Sequence, residues 1–183
     1  MGVTTRKGAR VMGKSREEMI RVDQAGEFGA TRIYAGQLAV MGDRGPHSAE
    51  IRAMAEQEAG HRAEFDALMA RRGVRPTALQ PFWDVAGYAL GAGTALIGPE
   101  AAMACTAAVE TEIDKHYSQQ LDELERDGDD PELADMIHRF REDEREHRDA
   151  AIAHGAENAP AYPLLSVAIR LGCRAAIRIS QKI

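Results

Sequence analysis

The sequence predicts an all-α protein, a four-helix bundle with a long crossover helix and an extra C-terminal helix, six helices in all. Three observations predict it. Apolar residues recur at alternating three- and four-residue steps along four long stretches, the spacing of one helix face. Pro, Gly and capping residues fall between the stretches rather than inside them. A chain that is 44% hydrophobic but only 5% aromatic packs with Ala, Leu, Ile and Met, which disfavours a β-rich core. Its 183 residues suit one domain, read here as residues 15–183 behind a basic flexible arm, 1–14.

The first helix starts at the capping box Ser15-x-x-Glu18 and ends near Gly42. Pro46 opens the second, which runs to about Arg72 before Gly73 and Pro76, roughly 40 Å at helical rise. A small, apolar crossover helix follows over residues 82–97 and breaks at Gly98-Pro99. The fourth continues to Asp127-Gly128. Pro131 opens the fifth and Gly155 closes it, and after Ala159-Pro-Ala-Tyr-Pro163 a last helix reaches the C-terminus.

What fills the centre of four of these stripes is polar. Ile51, Met54, Glu58, His61, Phe65 and Leu68 form one, and Leu133, Ile137, Phe140, Glu144, His147 and Ala151 another. Each carries a Glu-x-x-His pair. At this content of Glu and His about half of one such pair arises by chance, so placement decides their weight. Asp135-x-x-His138 is the contrast, because His138 falls off its stripe and should face water. The first helix reads Ile20, Gln24, Glu27, Thr31, Tyr34, and the fourth reads Met103, Thr106, Glu110, Ile113, Tyr117. Each has one inward Glu with a Tyr seven residues later.

The chain thus contains a duplicated unit, a Glu helix followed by a Glu-x-x-His helix. Helices donating Glu, Glu-x-x-His, Glu and Glu-x-x-His make the pattern of ferritin-like dimetal carboxylate bundles. Unpaired buried carboxylates cost several kcal/mol each, roughly, so a polar centre in an apolar seam implies either a partner charge or a metal, and the metal is the sharper reading. The charge of four carboxylates balances two divalent ions, and carboxylate-rich, imidazole-poor coordination suits iron or manganese better than copper, with iron favoured. Tyr34 and Tyr117 are candidate hydrogen-bond donors or electron sources, although Tyr at helical spacing is more often core packing. Asp23 and Asp114, one turn from Glu27 and Glu110, are candidates to orient the ligand histidines.

The net charge of −6 is unevenly spread. Residues 1–16 hold Arg6, Lys7, Arg10, Lys14 and Arg16, and the last 22 residues hold Arg170, Arg174, Arg178 and Lys182; neither end has an acid. All 29 acidic residues lie between them, which argues against nucleic acid and leaves the termini to meet an anionic surface. No secretory apolar segment precedes Met19, and Arg6 stands where a myristoylation motif wants Ser or Thr. Cys105 and Cys173 form no paired motif, so they are read as core residues of a reducing compartment. The crossover is too rich in Gly and Ala, and too soon broken, to span a bilayer. The last helix instead carries Leu164, Ala168, Leu171, Ala175 and Ile179 on one face and four basic residues on another, which suits an interfacial helix.

The stretches RVDQAGEFGATRIYAGQLAV, QEAGHRAEF, GAGTALIGPEAAMACTAAVE, FREDEREHRD and APAY resemble the demethoxyubiquinone hydroxylase family, from Met19 to the C-terminus. The resemblance implies a ferritin-like fold with two iron ions per chain, ligated by Glu27, Glu58, His61, Glu110, Glu144 and His147. Gln24 and Phe28 depart from the His and Tyr common in the first motif, neither of them a required ligand. It further implies O2-dependent hydroxylation of a polyprenyl benzoquinol late in ubiquinone synthesis. The expected electron donor is NADH, and the expected partners are a lipid-binding accessory protein and further copies of the chain. Attachment would be peripheral, at the cytoplasmic face of a bacterial inner membrane or the matrix face of the mitochondrial one. The quinol ring is expected to enter between residues 82–97 and the helices of Glu27 and Glu110, where Gly91, Gly93 and Ala95 would leave room. An iron-storing ferroxidase is the alternative for the same ligand set; a rubrerythrin-like enzyme would need four cysteines for a second iron site, and the chain has two.

Overall fold

The computed structural model describes residues 15–183, so the basic arm over 1–14 lies outside the described residues. These form six α-helices: α1 (Arg16–Met41), α2 (Ser48–Arg72), α3 (Gln80–Ile97), α4 (Pro99–Asp127), α5 (Pro131–Ala153) and α6 (Tyr162–Ser180), with one 3-10 turn at Ala156–Asn158. The fold is the expected all-helical, ferritin-like bundle, with no strand among the described residues.

Local chemistry sets the ends of the helices. Ser15 accepts from the Glu18 amide while the Glu18 carboxylate accepts from the Ser15 amide, the reciprocal cap anticipated from the motif. Asp130 caps α5 from in front of Pro131, and α2 and α4 stop at Gly73 and Gly128, both in the left-handed region. Helix α3 starts at Gln80 rather than Phe82, and α6 stops at Ser180, short of the C-terminus. Helix α2 starts at Ser48 rather than Pro46, because His47 takes a φ of 64° and cannot belong to the first turn.

Two apolar clusters fix the direction of the four long helices. One joins Met19 and Ile20 of α1, Phe65 and Leu68 of α2, Leu121 and Leu124 of α4, and Leu133 and Phe140 of α5. The other joins Tyr34, Ile51, Met54, the alanine run Ala101–Ala104, and Ala151. Helices α1 and α5 run from the first cluster to the second, α2 and α4 the opposite way. Between α2 and α4 the chain must return to the same end, and α3 makes that return.

Helix α3 lies close against α1. A Cβ at Gly91 would collide with the Ile33 carbonyl, and one at Gly36 with the Tyr88 carbonyl, so these glycines allow backbone contact. Arg32 of α1 pairs with Asp84 of α3. Helix α6 packs on α4 and α1 through Ile169 and Leu165. Its Arg170 donates to the Glu112 carboxylate of α4 at 2.6 Å and Arg174 at 3.3 Å.

Candidate metal centre and adjoining pocket

Each of the four long helices buries its ligand-type residues between the two apolar clusters. Glu27, Glu58, Glu110 and Glu144 are at most 2% exposed, and His61 and His147 are 4% exposed. Their ligand atoms form two overlapping groups: Glu27, Glu58, His61 and Glu144, and Glu58, Glu110, Glu144 and His147, each within 4.8 Å. The α2 and α5 glutamates belong to both groups and the α1 and α4 glutamates to one each. That is the arrangement two ions bridged by Glu58 and Glu144 would need. His138, the contrast residue, is exposed.

The donor set fits metal. Both oxygens of Glu58, one each of Glu27, Glu110 and Glu144, and the Nδ1 atoms of both histidines are buried without a hydrogen-bond partner. Polar atoms buried in this way are unfavourable unless something at the centre binds them. Protonation tells the same story. Burial and the neighbouring Glu144, Glu27 and Glu110 hold Glu58 well above the usual carboxylate range. Burial and Glu144 do so for Glu110, and burial lifts Glu144 as well. For His61, burial would lower the pKa, but Glu144 and Glu27 raise it to about 10. Four carboxylates this close need positive charge among them, and two divalent cations would supply it.

Surrounding groups repeat across the duplicated units. Tyr34 of α1 donates to Glu110 of α4 at 2.9 Å, and Tyr117 of α4 donates to Glu27 of α1. Each tyrosine thus serves the glutamate of the other unit. His61 and His147 turn Nδ1 toward the carboxylates, with Glu58 3.2 Å from His147 Nδ1. Their Nε2 atoms face outward, His61 to Asp143 at 2.9 Å and His147 to Gln57 at 3.0 Å.

The histidine-orienting groups are therefore Asp143 and Gln57, which the sequence reading missed, and not Asp23 and Asp114. A signal was present: each stands one residue before the Glu of the opposite Glu-x-x-His motif. Asp114 lies four positions beyond Glu110, turned about 40° from it around the helix. There it accepts from Arg145 Nε at 2.8 Å and Arg148 Nη1 at 3.3 Å. Asp23 is buried and bonds His116 at 3.0 Å and Gln120 at 2.8 Å. In the other unit Thr106 occupies the equivalent position and Gln37 bonds the Ala102 carbonyl.

Beside the centre lies an apolar pocket of about 550 Å³ between α1, α3, α4 and α6. Its lining includes Gly26 and Val109, sequence neighbours of Glu27 and Glu110, together with Gly29, Trp83, Ile113 and Gly172. It lies where an entry for the quinol ring was expected, but its walls differ. Gly91 and Ala95 are buried, Gly91 in the α1 contact, and Gly93 faces outward; none of the three lines the pocket. Room comes from Gly29 and Gly172, where an added Cβ would meet nothing within 4 Å. Helix α6 supplies a full wall because the pairs to Glu112 hold it over α4.

Around the pocket the surface is apolar. Phe82, Val85, Leu96 and Ile97 of α3 and Leu164, Val167, Leu171 and Ile179 of α6 are all exposed, Leu96 at 75% and Leu164 at 72%. Among the described residues no helix is long and apolar enough to cross a membrane.

A family model described as "Ubiquinone biosynthesis protein COQ7" matches residues 14–180. A Rhodospirillum rubrum protein named 3-demethoxyubiquinol 3-hydroxylase is 54% identical over 168 residues, covering 91% of this chain and 78% of that protein. A Homo sapiens protein named NADPH-dependent 3-demethoxyubiquinone 3-hydroxylase, mitochondrial, is 50% identical over 171 residues, covering 91% and 77%. A Saccharomyces cerevisiae protein named 5-demethoxyubiquinone hydroxylase, mitochondrial, is 45% identical over 181 residues, covering 91% and 78%.

Proposed function

The chain belongs to the COQ7 family of ubiquinone biosynthesis proteins, and from that premise we propose that it hydroxylates the ring of a demethoxy-polyprenyl benzoquinol at a di-iron centre. The observation that carries the reading is the pair of overlapping buried ligand groups sharing Glu58 and Glu144, beside an apolar pocket. Glu27, Glu58, His61, Glu110, Glu144 and His147 would hold the two irons. When bound, the irons supply the activation of O2, one atom of which enters the ring while the other leaves as water.

The protein's own residues do the rest. Glu58 and Glu144, which belong to both ligand groups, would serve both positions, and Asp143 and Gln57, each accepting from an outer Nε2–H, would leave the Nδ1 lone pairs of His61 and His147 free to face inward. Tyr34 and Tyr117 each donate a hydrogen bond to one oxygen of Glu110 and Glu27, which restricts the modes in which each glutamate can bind. The apolar walls exclude water and orient the ring.

Each isoprenoid methylene favours an apolar phase by roughly 0.8 kcal/mol, so substrate extraction into water is costly. Peripheral attachment through the exposed apolar residues of α3 and α6 would place the pocket at the lipid boundary. Relatives include a bacterial protein and proteins named as mitochondrial, so that boundary is the cytoplasmic or the matrix face of an inner membrane. The electron source is a reduced pyridine nucleotide; the resemblance implied NADH, while the human relative's name specifies NADPH. A lipid-binding accessory protein and self-association are the further partners of this reading, and residues 15–183 act as one functional unit.

The test is incubation of iron-loaded protein with a demethoxyquinol, either nucleotide and ¹⁸O2. One labelled oxygen on the ring is expected. Iron oxidation or uptake without ring labelling would overturn the reading in favour of a ferroxidase.

A further inference from the structure

Pseudo-symmetry makes the two halves of the centre a controlled comparison. In each half a Glu from α1 or α4 accepts from a buried Tyr of the opposite unit, and a His follows a shared Glu by three residues. Both histidines turn Nδ1 inward, and with each Nδ1 lone pair given to a metal ion the ring proton would sit on Nε2 and be donated outward. Here the halves part. His61 Nε2 donates to the Asp143 carboxylate at 2.9 Å, and His147 Nε2 donates to the Gln57 amide oxygen at 3.0 Å. The distances match; the acceptors differ by a full negative charge.

An imidazole whose outer N–H is held by a carboxylate is a more basic ligand than one held by an amide. It gives more electron density to the cation, and the carboxylate adds its own attraction. On the other side the outer partner of His147 is neutral. The Phe140 ring, stacked on His61 at a centroid distance of 4.0 Å, further limits the orientations open to that imidazole.

We propose that the two metal positions are unequal, the one held by Glu27 and His61 binding its ion more tightly because Asp143 backs His61 where Gln57 backs His147. The proposal rests on the reading that the six residues bind two ions. Outer partners of this kind change metal affinity by about 10- to 100-fold. Asp143 is partly reached by solvent, its side chain 32% exposed, which places the effect toward the lower end. On substoichiometric loading the ion is expected at the His61 position, and on chelation the His147 position empties first. Asp143 and Gln57 are positioning residues, acting through the histidines.

The experiment strips the full chain with a chelator and titrates it anaerobically with Mn(II), a redox-silent probe, following heat, bound metal and the EPR signal. Wild type should bind two equivalents in two steps, with an uncoupled six-line signal dominating at one equivalent. Asp143→Asn should weaken the tighter step by about tenfold or more and bring the steps together. Gln57→Glu should strengthen the weaker step, and its separate readout stands even if Asp143→Asn fails to fold by circular dichroism. Two equivalents bound with a step separation that neither folded variant changes would overturn the inequality. Fewer than two equivalents in wild type would overturn the two-metal reading itself.

Discussion

Tyr34 donates its hydroxyl to Glu110, 76 residues away on another helix, at 2.9 Å, and both groups are buried. Tyr117 does the same for Glu27 in the opposite direction, so each half of the duplicated unit supplies the hydrogen bond to the other's inward glutamate. A Tyr→Phe substitution removes the hydroxyl and leaves the ring in its packing. Tyr34→Phe and Tyr117→Phe should therefore each destabilise the metal-free fold by about 1 kcal/mol. Metal should still bind, and the ring-labelling assay should slow as the glutamates lose a fixed oxygen. Chemical denaturation and metal analysis check this; a variant that loses no stability would show that the hydroxyls stay hydrated.

Metal retention should discriminate between the inward and outward histidine motifs. Glu144→Ala removes a carboxylate shared by both ligand groups and should reduce bound iron from two to less than one per chain. His138→Ala changes an exposed side chain and should leave iron content and melting temperature unaltered. Iron analysis after gel filtration reads both, and equal loading of the two variants would count against the ligand assignment.

Filling the pocket should separate substrate access from metal binding. Gly29 lies in α1 with open space where a Cβ would stand, so Gly29→Leu projects into the cavity without striking a neighbouring backbone. It should gain up to about 1 kcal/mol of helix stability while cutting hydroxylation of a long-tailed quinol at least tenfold. Gly91→Phe should fail differently, because any side chain there meets the Ile33 carbonyl and pushes α3 off α1. Melting temperature against turnover distinguishes the two outcomes.

Vesicle binding should depend on leucines more directly than on arginines. Leu164 and Leu171 are exposed, so burying each in lipid is worth roughly 1.5–3 kcal/mol. The double variant Leu164→Glu, Leu171→Glu should abolish flotation with liposomes while retaining iron. Arg170→Glu and Arg174→Glu should instead break the pairs with Glu112 and loosen α6 from α4, visible as faster hydrogen exchange across α6. Of the four basic residues at this end, Arg178 and Lys182 are exposed and remain direct contacts for anionic headgroups.

Periodicity and end signals are local properties, and they determined much of this protein by themselves. The inward positions of Glu27, Glu58, Glu110 and Glu144 follow from 3.6 residues per turn, as do the two histidines. The boundaries follow from Ser15, Gly73, Gly128 and Pro131, each acting within a turn of itself. What only the tertiary structure decided is which side chains face one another across helices. Tyr34 meets Glu110 and not a group of its own helix; Asp143 meets His61; Glu112 draws in Arg170 and Arg174, turning the apolar face of α6 outward. Those pairings depend on the axial offset and rotation of one helix against another, where a single residue of displacement moves a side chain by 1.5 Å and about 100°. Such offsets are set by the summed packing of two apolar clusters and the backbone contact at Gly36 and Gly91, which no single stretch of sequence contains.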